Sequence, residues 1–313
     1  MTANVTTDLT APIHHVTVAG GGVLGSQIAM QIAFFGFQVT LFERDIDGAK
    51  KRIDKLVPVY AQHFNKDLAD TQRIADAIVY QTDLAMAVKD AQILVEALPE
   101  VLDLKREFYQ DLDKVAPSEL ILASNSSTLI PSQIVDATGR PEKFLALHFA
   151  NRIWMHNTAE IMGTPATDPA VFDTVVEFAK NIGMVALPLY KEQSGYILNS
   201  MLVPFLTSGL ALYAKDIAEP HTIDKTWMIA TGSPMGPFGF MDIIGINTLL
   251  NVNQQQAKAG SQTAQLIADR LRQDFVDQGR MGVQSGKGFY DYPNPAYQSA
   301  EFLTNEPVEP FTK

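Results

Sequence analysis

The 313-residue sequence predicts an α/β fold: a doubly wound, mostly parallel sheet carrying a helical-hairpin insertion, followed by an all-α C-terminal domain. Three observations carry this. Short apolar runs alternate with helical patterns from His15 to Pro188, residues 47–78 interrupt that alternation with two helical patterns in a row, and strand signals largely stop beyond Pro188.

The runs 16–19, 39–42, 93–97, 120–123 and 144–149 are too short for ordinary helices and rich in Val, Ile, Leu and Phe, as strands covered on both faces are. Between the first two, Val23, Leu24, Ile28, Ile32 and Phe35 recur at three- and four-residue spacing and bury one helical face. Strand, helix, strand is a βαβ unit, and its repetition builds a parallel sheet. The interruption carries Ile53, Leu56, Val57 and Tyr60, then Leu68 and Ile74, around a polar turn at 63–67, and reads as a helical hairpin. Asp168 and Pro169 supply an N-cap and a first-turn proline for a helix through Lys180 that stops near Gly183, and residues 184–187 are the last strand. Helical spacing then continues in Ile197, Met201 and Phe205, in Ile223, Trp227 and Ala230, and after a cap at Ser261 in Leu266, Ile267, Leu271 and Phe275. With about 150 residues per domain as a prior, the division is 12–188 for the sheet domain and 189–292 for the helical one. Residues 293–313, with four prolines and no periodicity, read as an extended tail.

The 24 Lys+Arg against 35 Asp+Glu give a net charge of −11, which repels nucleic acid and anionic membranes. The absence of cysteine excludes disulfides, thiolate metal sites, thiol nucleophiles and iron–sulfur clusters, and no metal site is expected. Residues 1–12 are polar without a basic cluster, so a cytoplasmic location is expected. The apolar stretch 196–214 is interrupted by Asn199, Ser200, Pro204, Thr207, Ser208 and Gly209, and reads as a buried or interfacial helix rather than a membrane span.

The first strand runs into Gly20-Gly21-Gly22-Val23-Leu24-Gly25, a G-x-G-x-x-G pattern between strand and helix. The glycines allow a tight turn, close approach of a pyrophosphate to bare backbone and close helix–strand packing, while the helix N-terminus offers free N–H groups. Glu43 ends the second strand, where a carboxylate accepts both hydroxyls of an adenine ribose and repels a 2′-phosphate. That favours NAD over NADP, although Arg44 beside it is a group able to pair with a 2′-phosphate.

Hydride transfer to a nicotinamide needs a proton acceptor, polar groups that hold the reacting oxygen, and exclusion of water. Two strand ends carry such groups: Ser124-Asn125-Ser126-Ser127, and His148 with Asn151. Glu160 follows twelve residues after His148 in a second apolar run, 159–162. His14, His15, His63, His156 and His221 have no such partners and read as surface or packing residues.

These segments, with Gly195-Tyr196-Ile197-Leu198-Asn199, Pro234-Met235-Gly236-Pro237-Phe238 and Gly286-Lys287-Gly288-Phe289-Tyr290, resemble the 3-hydroxyacyl-CoA dehydrogenase family from the glycine loop to Tyr292. The resemblance implies a Rossmann domain, a helical C-terminal domain that usually forms a homodimer, and NAD-dependent oxidation of an L-3-hydroxyacyl thioester. It implies His148 as general base, Glu160 as its orienting carboxylate, Ser127 holding the reacting oxygen and Asn199 positioning substrate. Glu100 and Lys105 match positions near the nicotinamide ribose and Asn125 one near the carboxamide; Gly20, Gly22, Val23, Leu24, Gly25, Glu43 and Asn151 complete the expected cofactor contacts.

Mitochondrial-type members typically follow His-Phe with Phe-Asn-Pro and further prolines, but here Arg152 and Trp154 stand in that segment. Because it lies between base and carboxylate, its side chains are expected to line the acyl pocket. The segment looks closer to the diketoreductase branch, which reduces β,δ-diketo esters. The hairpin's Lys50, Lys51, Arg52, Lys55 and Lys66 are the groups available to CoA phosphates, diluted by Asp47, Asp54, Asp67 and Asp70. Three readings follow: a hydroxyacyl-CoA dehydrogenase first, a diketoreductase-like carbonyl reductase second, and a catalytically inert NAD-binding structural protein third.

Overall fold

The computed structural model describes residues 13–304, so the readings of the polar N-terminus and of the last prolines, Pro307 and Pro310, lie outside the described residues. The chain forms two compact units that divide between Ile197 and Leu198.

The described part of the first unit holds one eight-stranded sheet in the order β3-β2-β1-β4-β5-β6-β7-β8. Its elements run β1 (His15–Ala19), α1 (Val23–Phe34), β2 (Gln38–Phe42), α2 (Ile46–His63), α3 (Leu68–Asp76), β3 (Val79–Gln81), α4 (Leu84–Val88), β4 (Ile93–Glu96), α5 (Leu102–Asp113), β5 (Ile121–Ser124), β6 (Phe144–Phe149), β7 (Thr158–Gly163), α6 (Pro169–Asn181) and β8 (Val185–Leu189). Neighbouring strands are parallel except β6 and β7. The chain reverses its strand order between β1 and β4, the crevice where open α/β sheets bind ligands.

The central strands β1, β4, β5 and β6 have buried interiors, and Val18, Leu41, Leu94, Val95 and Leu147 lie in the sheet's two main apolar clusters. The hairpin is α2 and α3: Asp45 and Asp67 cap them by accepting from Gly48 N and Ala69 N, and the buried Tyr60 donates to Gln31 Oε1 at 2.8 Å. The short β3 went unread in the sequence because it has three residues and Val79 is 51% exposed, so it lacks the continuous apolar run of a buried strand.

The second unit is helical: α7 (Tyr196–Ala214), whose first two residues belong to the first unit, α8 (Pro220–Thr231), α9 (Pro237–Ile244), α10 (Ile246–Lys258) and α11 (Gln262–Asp274). They enclose Leu210, Phe238, Met241, Ile267, Leu271 and Phe289. By length and composition α7 is apolar enough to cross a membrane. Residues 293–304 differ from the extended tail expected of them: they make two 3-10 turns and seat Tyr297 and Phe302 in this core. The prolines set the chain direction, and the two aromatics between them supply the anchoring that proline content hides.

Candidate active site

The antiparallel pairing of β6 with β7 puts His148 directly across from Glu160. Both are buried, and His148 Nδ1 lies 3.1 Å from Glu160 Oε2. A carboxylate only accepts, so Nδ1 carries the proton, and Nε2 is the nitrogen open to accept from Ser127 Oγ at 3.1 Å. Glu160's second oxygen accepts from Ile197 N–H at 2.8 Å. Ser127, His148 and Glu160 thus form one line of hydrogen bonds at the carboxyl ends of β5 and β6, with Glu160 in the first half of the antiparallel β7.

A second chain of contacts supports the serine. Glu100 Oε1 accepts from Ser126 Oγ, Ser127 N, Thr128 N and Thr128 Oγ1, all within 2.6–2.9 Å. Burial opposes ionisation of Glu100, but these hydrogen bonds and the Lys105 cation outweigh it and hold the carboxyl below its ordinary range. Lys105 itself is 1% exposed, with its ammonium 2.5 Å from Glu96 Oε1 and 3.5 Å from Glu100 Oε2. A buried ammonium demands such partners. Lys105 is therefore committed to the two carboxylates that brace the Ser124–Thr128 segment. Glu96, which also accepts from Ser124 Oγ at 2.7 Å, was not singled out in the sequence. The available signal was the same as for Glu43: a lone carboxylate ending a buried strand.

Tyr196 was missed as well. Its ring stacks on the His148 imidazole with centroids 4.4 Å apart and planes 14° apart, and its hydroxyl donates to Ser126 O at 2.7 Å. Burial pushes the phenol well above its ordinary range, so it stays a neutral donor. No periodicity signals a stack between residues so far apart in sequence.

At the glycine loop, a Cβ on Gly25 would fall 1.9 Å from Gly20 O, whereas one on Gly22 would meet nothing within 4 Å. Gly25 is needed for packing; beside Gly22 there is open space of the kind a pyrophosphate occupies. No side chain caps the first turn of α1 at Val23, Leu24 and Gly25, which fits a phosphate at that helix N-terminus. Glu43 Oε2 accepts from Gly21 N at 2.6 Å and Oε1 from Arg44 N and Asp45 N, so the carboxylate is fixed against the loop. Asn125 Oδ1 accepts from Phe149 N at 2.9 Å, which leaves its NH2 as the donor end. Asn151 is exposed in the bend after β6, and Asn199 lies on α7 in the second unit.

The segment between base and carboxylate departs from its expected role. Trp154 packs on Tyr60 of the hairpin at 5.5 Å, Ile153 is fully buried, and Arg152 N donates to Gln27 Oε1. Ile153 and Trp154 turn inward because the cluster around Tyr60 is the apolar surface within reach, while Met155 stays exposed.

Residues 15–193 match the family profile "3-hydroxyacyl-CoA dehydrogenase, NAD binding domain", and residues 195–292 match "3-hydroxyacyl-CoA dehydrogenase, C-terminal domain". The chain belongs to the 3-hydroxyacyl-CoA dehydrogenase family. It is an NAD-dependent oxidoreductase of that family with an NAD-binding domain. It is 33% identical over 291 residues to the mitochondrial hydroxyacyl-coenzyme A dehydrogenase of Rattus norvegicus, covering 90% of this chain and 91% of that protein. A solved diketoreductase, from work on substrate-directed dual catalysis of dicarbonyl compounds, is 49% identical with a TM-score of 0.86, over 90% of this chain and 100% of that one. The Mycobacterium tuberculosis FadB2 structure is 29% identical with a TM-score of 0.76, over the same shares.

Proposed function

We propose that this family member is an NADH-dependent reductase of dicarbonyl compounds, converting one ketone of a β,δ-diketo ester to an alcohol. The observation that carries the reading is the 49% identity to a diketoreductase along that protein's whole length, against 33% to a hydroxyacyl-CoA dehydrogenase. The hairpin supports it. Lys50 lies over the Tyr80 ring, Lys66 over Phe34, and Arg52 donates to Gly21 O, so three of the five cations available to CoA phosphates have partners within the protein.

In this reading the backbone of Gly20, Gly22, Val23, Leu24 and Gly25 holds the pyrophosphate, Glu43 the adenine ribose and Asn125 the carboxamide, with Asn151 beside them. Bound NADH supplies the hydride to the carbonyl carbon. His148 Nε2 gives the proton to the carbonyl oxygen, which Ser127 Oγ holds. Glu160 stabilises the imidazolium before transfer and keeps the proton on Nδ1 afterwards. Glu100 and Lys105 keep the serine segment in place. Asn199 is the proposed substrate-positioning residue, on its match to the family motif. A homodimer through residues 189–292 belongs to the same proposal, supported by the exposed apolar Met201 and Val203 on α7, and a cytoplasmic location is proposed with it.

Oxidation of an L-3-hydroxyacyl-CoA is the second reading, favoured by the names of the curated relatives. NADH-dependent reduction of a 3,5-diketo ester beside acetoacetyl-CoA separates them. A kcat/KM about tenfold or more in favour of the diketo ester is expected; the reverse preference returns the reading to the thioester, and turnover of neither points to the inert protein.

A further inference from the structure

Residues 194–197 touch His148, Glu160 and the residues on either side of Ser127. The Ser194 hydroxyl donates to Thr128 O at 2.8 Å, the Tyr196 hydroxyl to Ser126 O at 2.7 Å, and the Ile197 N–H to Glu160 Oε1 at 2.8 Å, while the Tyr196 ring covers one face of His148. The backbone here is unusual. Gly195 has φ +79° and Tyr196 φ +54°, the left-handed region that bulky side chains rarely enter. Such strain persists only where surrounding contacts over-determine it. What it achieves is to turn a fully buried aromatic face onto the imidazole.

We infer that Tyr196 is a positioning residue for the proposed proton transfer: its ring holds the His148 plane and its π face stabilises the imidazolium, while its hydroxyl ties that ring to the Ser126–Thr128 segment. The inference rests on His148 acting as the acid–base group. An aromatic face attracts a cation placed over it, and more strongly where water is excluded. A ring held parallel to the imidazole also restricts the rotation that would break both the Glu160 and Ser127 contacts. The interaction differs between the two protonation states of His148, so it acts on the step in which the proton moves.

The test is the pH profile of kcat for Tyr196→Phe and Tyr196→Leu, with a series of increasingly fluorinated phenylalanines at 196 that keeps ring shape while weakening the π face. Losing the ring lowers imidazolium stability, so the limb belonging to His148 moves to lower pH, by about 0.5 unit for Leu. A kcat roughly tenfold lower accompanies it, at unchanged NADH affinity. Phe restores the limb, and the fluorinated series moves it stepwise. An unmoved limb in Leu, or no trend along the series, which does not depend on the Leu variant folding, overturns the inference. His148→Gln run in parallel separates the two ideas. If it keeps turnover, the acid–base reading falls and this inference with it; if it is inactive while the Tyr196 limb stays put, only the role of Tyr196 falls.

Discussion

Two histidines in this protein stack on tyrosines at the same separation, His148 on Tyr196 and His221 on Tyr290, both with ring centroids 4.4 Å apart. Each tyrosine is buried and each pair has a buried carboxylate nearby, Glu160 in the first unit and Asp224 in the second. The partners differ. His148 has a hydroxyl on one nitrogen and a carboxylate on the other, whereas His221 Nε2 faces the carbonyl of Phe289 at 3.1 Å and Asp224 takes its bonds from Phe238 N, Gly239 N and the Tyr290 hydroxyl. A backbone carbonyl has no proton to exchange and backbone amides do not titrate. Burial and stacking are therefore common to packing and chemistry; what distinguishes the first pair is an unbroken run of exchangeable protons.

The comparison breaks most visibly by removing each imidazole. His148→Gln is expected to lower turnover by roughly 10² to 10⁴, with NADH affinity near wild type, while His221→Gln keeps turnover per folded molecule and lowers thermal stability. Equal activity of the two variants in a steady-state assay contradicts the contrast. The next largest effect is on stability. Asp242 accepts from Phe289 N, Tyr290 N and the Tyr292 hydroxyl, and a Cβ on Gly288 would lie 2.0 Å from its Oδ1. Asp242→Ala strands those donors at about 1–3 kcal/mol each before relaxation, so a loss of about 2–4 kcal/mol in urea unfolding is expected, as large as any in the second unit. Glu160→Ala should instead act chiefly on turnover.

The same contrast explains what the sequence made legible. The pattern of buried runs located β1, β2, β4, β5 and β6, and the glycine spacing located the dinucleotide loop, because each is a local regularity. His148 and Glu160 were paired through the resemblance to the family, and the structure supplies the reason: twelve residues and one strand reversal bring them opposite each other. The Tyr196 stack, the Lys105–Glu96 pair and the inward turn of Trp154 were not legible, since each depends on which side chain fills a space made by distant segments. The buried Asp224 and Asp242, which lie against Gly236 and Gly288, carried no local signal.

A smaller effect sharpens the reading of Glu43. Its carboxylate is fixed by the Gly21, Arg44 and Asp45 amides, so Glu43→Ala removes both a ribose acceptor and a brace of the glycine loop. NADH affinity should fall about tenfold, the equivalent of one charged hydrogen bond, and NADPH affinity less. Fluorescence titration with both nucleotides measures this, and an equal loss for the two removes the ribose assignment.

The smallest effect is the pH dependence of stability, where the two regions should move in opposite directions. Burial, only partly offset by hydrogen bonds, raises the carboxyls of Asp224 and Asp242 above 3.8. Between 3.8 and their folded values the folded state binds more protons than the unfolded one, so their contribution is fully present below 3.8 and is lost as pH rises through the window. Glu100 is held below 4.5, so its contribution is present above 4.5 and is lost as pH falls through its folded value. Asparagine and glutamine cannot titrate. The stability of wild type relative to Asp242→Asn should therefore grow as the pH is lowered from 7 toward 4, and relative to Glu100→Gln it should shrink. Melting temperatures across that range test both slopes, and parallel slopes would contradict the opposite directions in which Glu100 and the two aspartates are shifted.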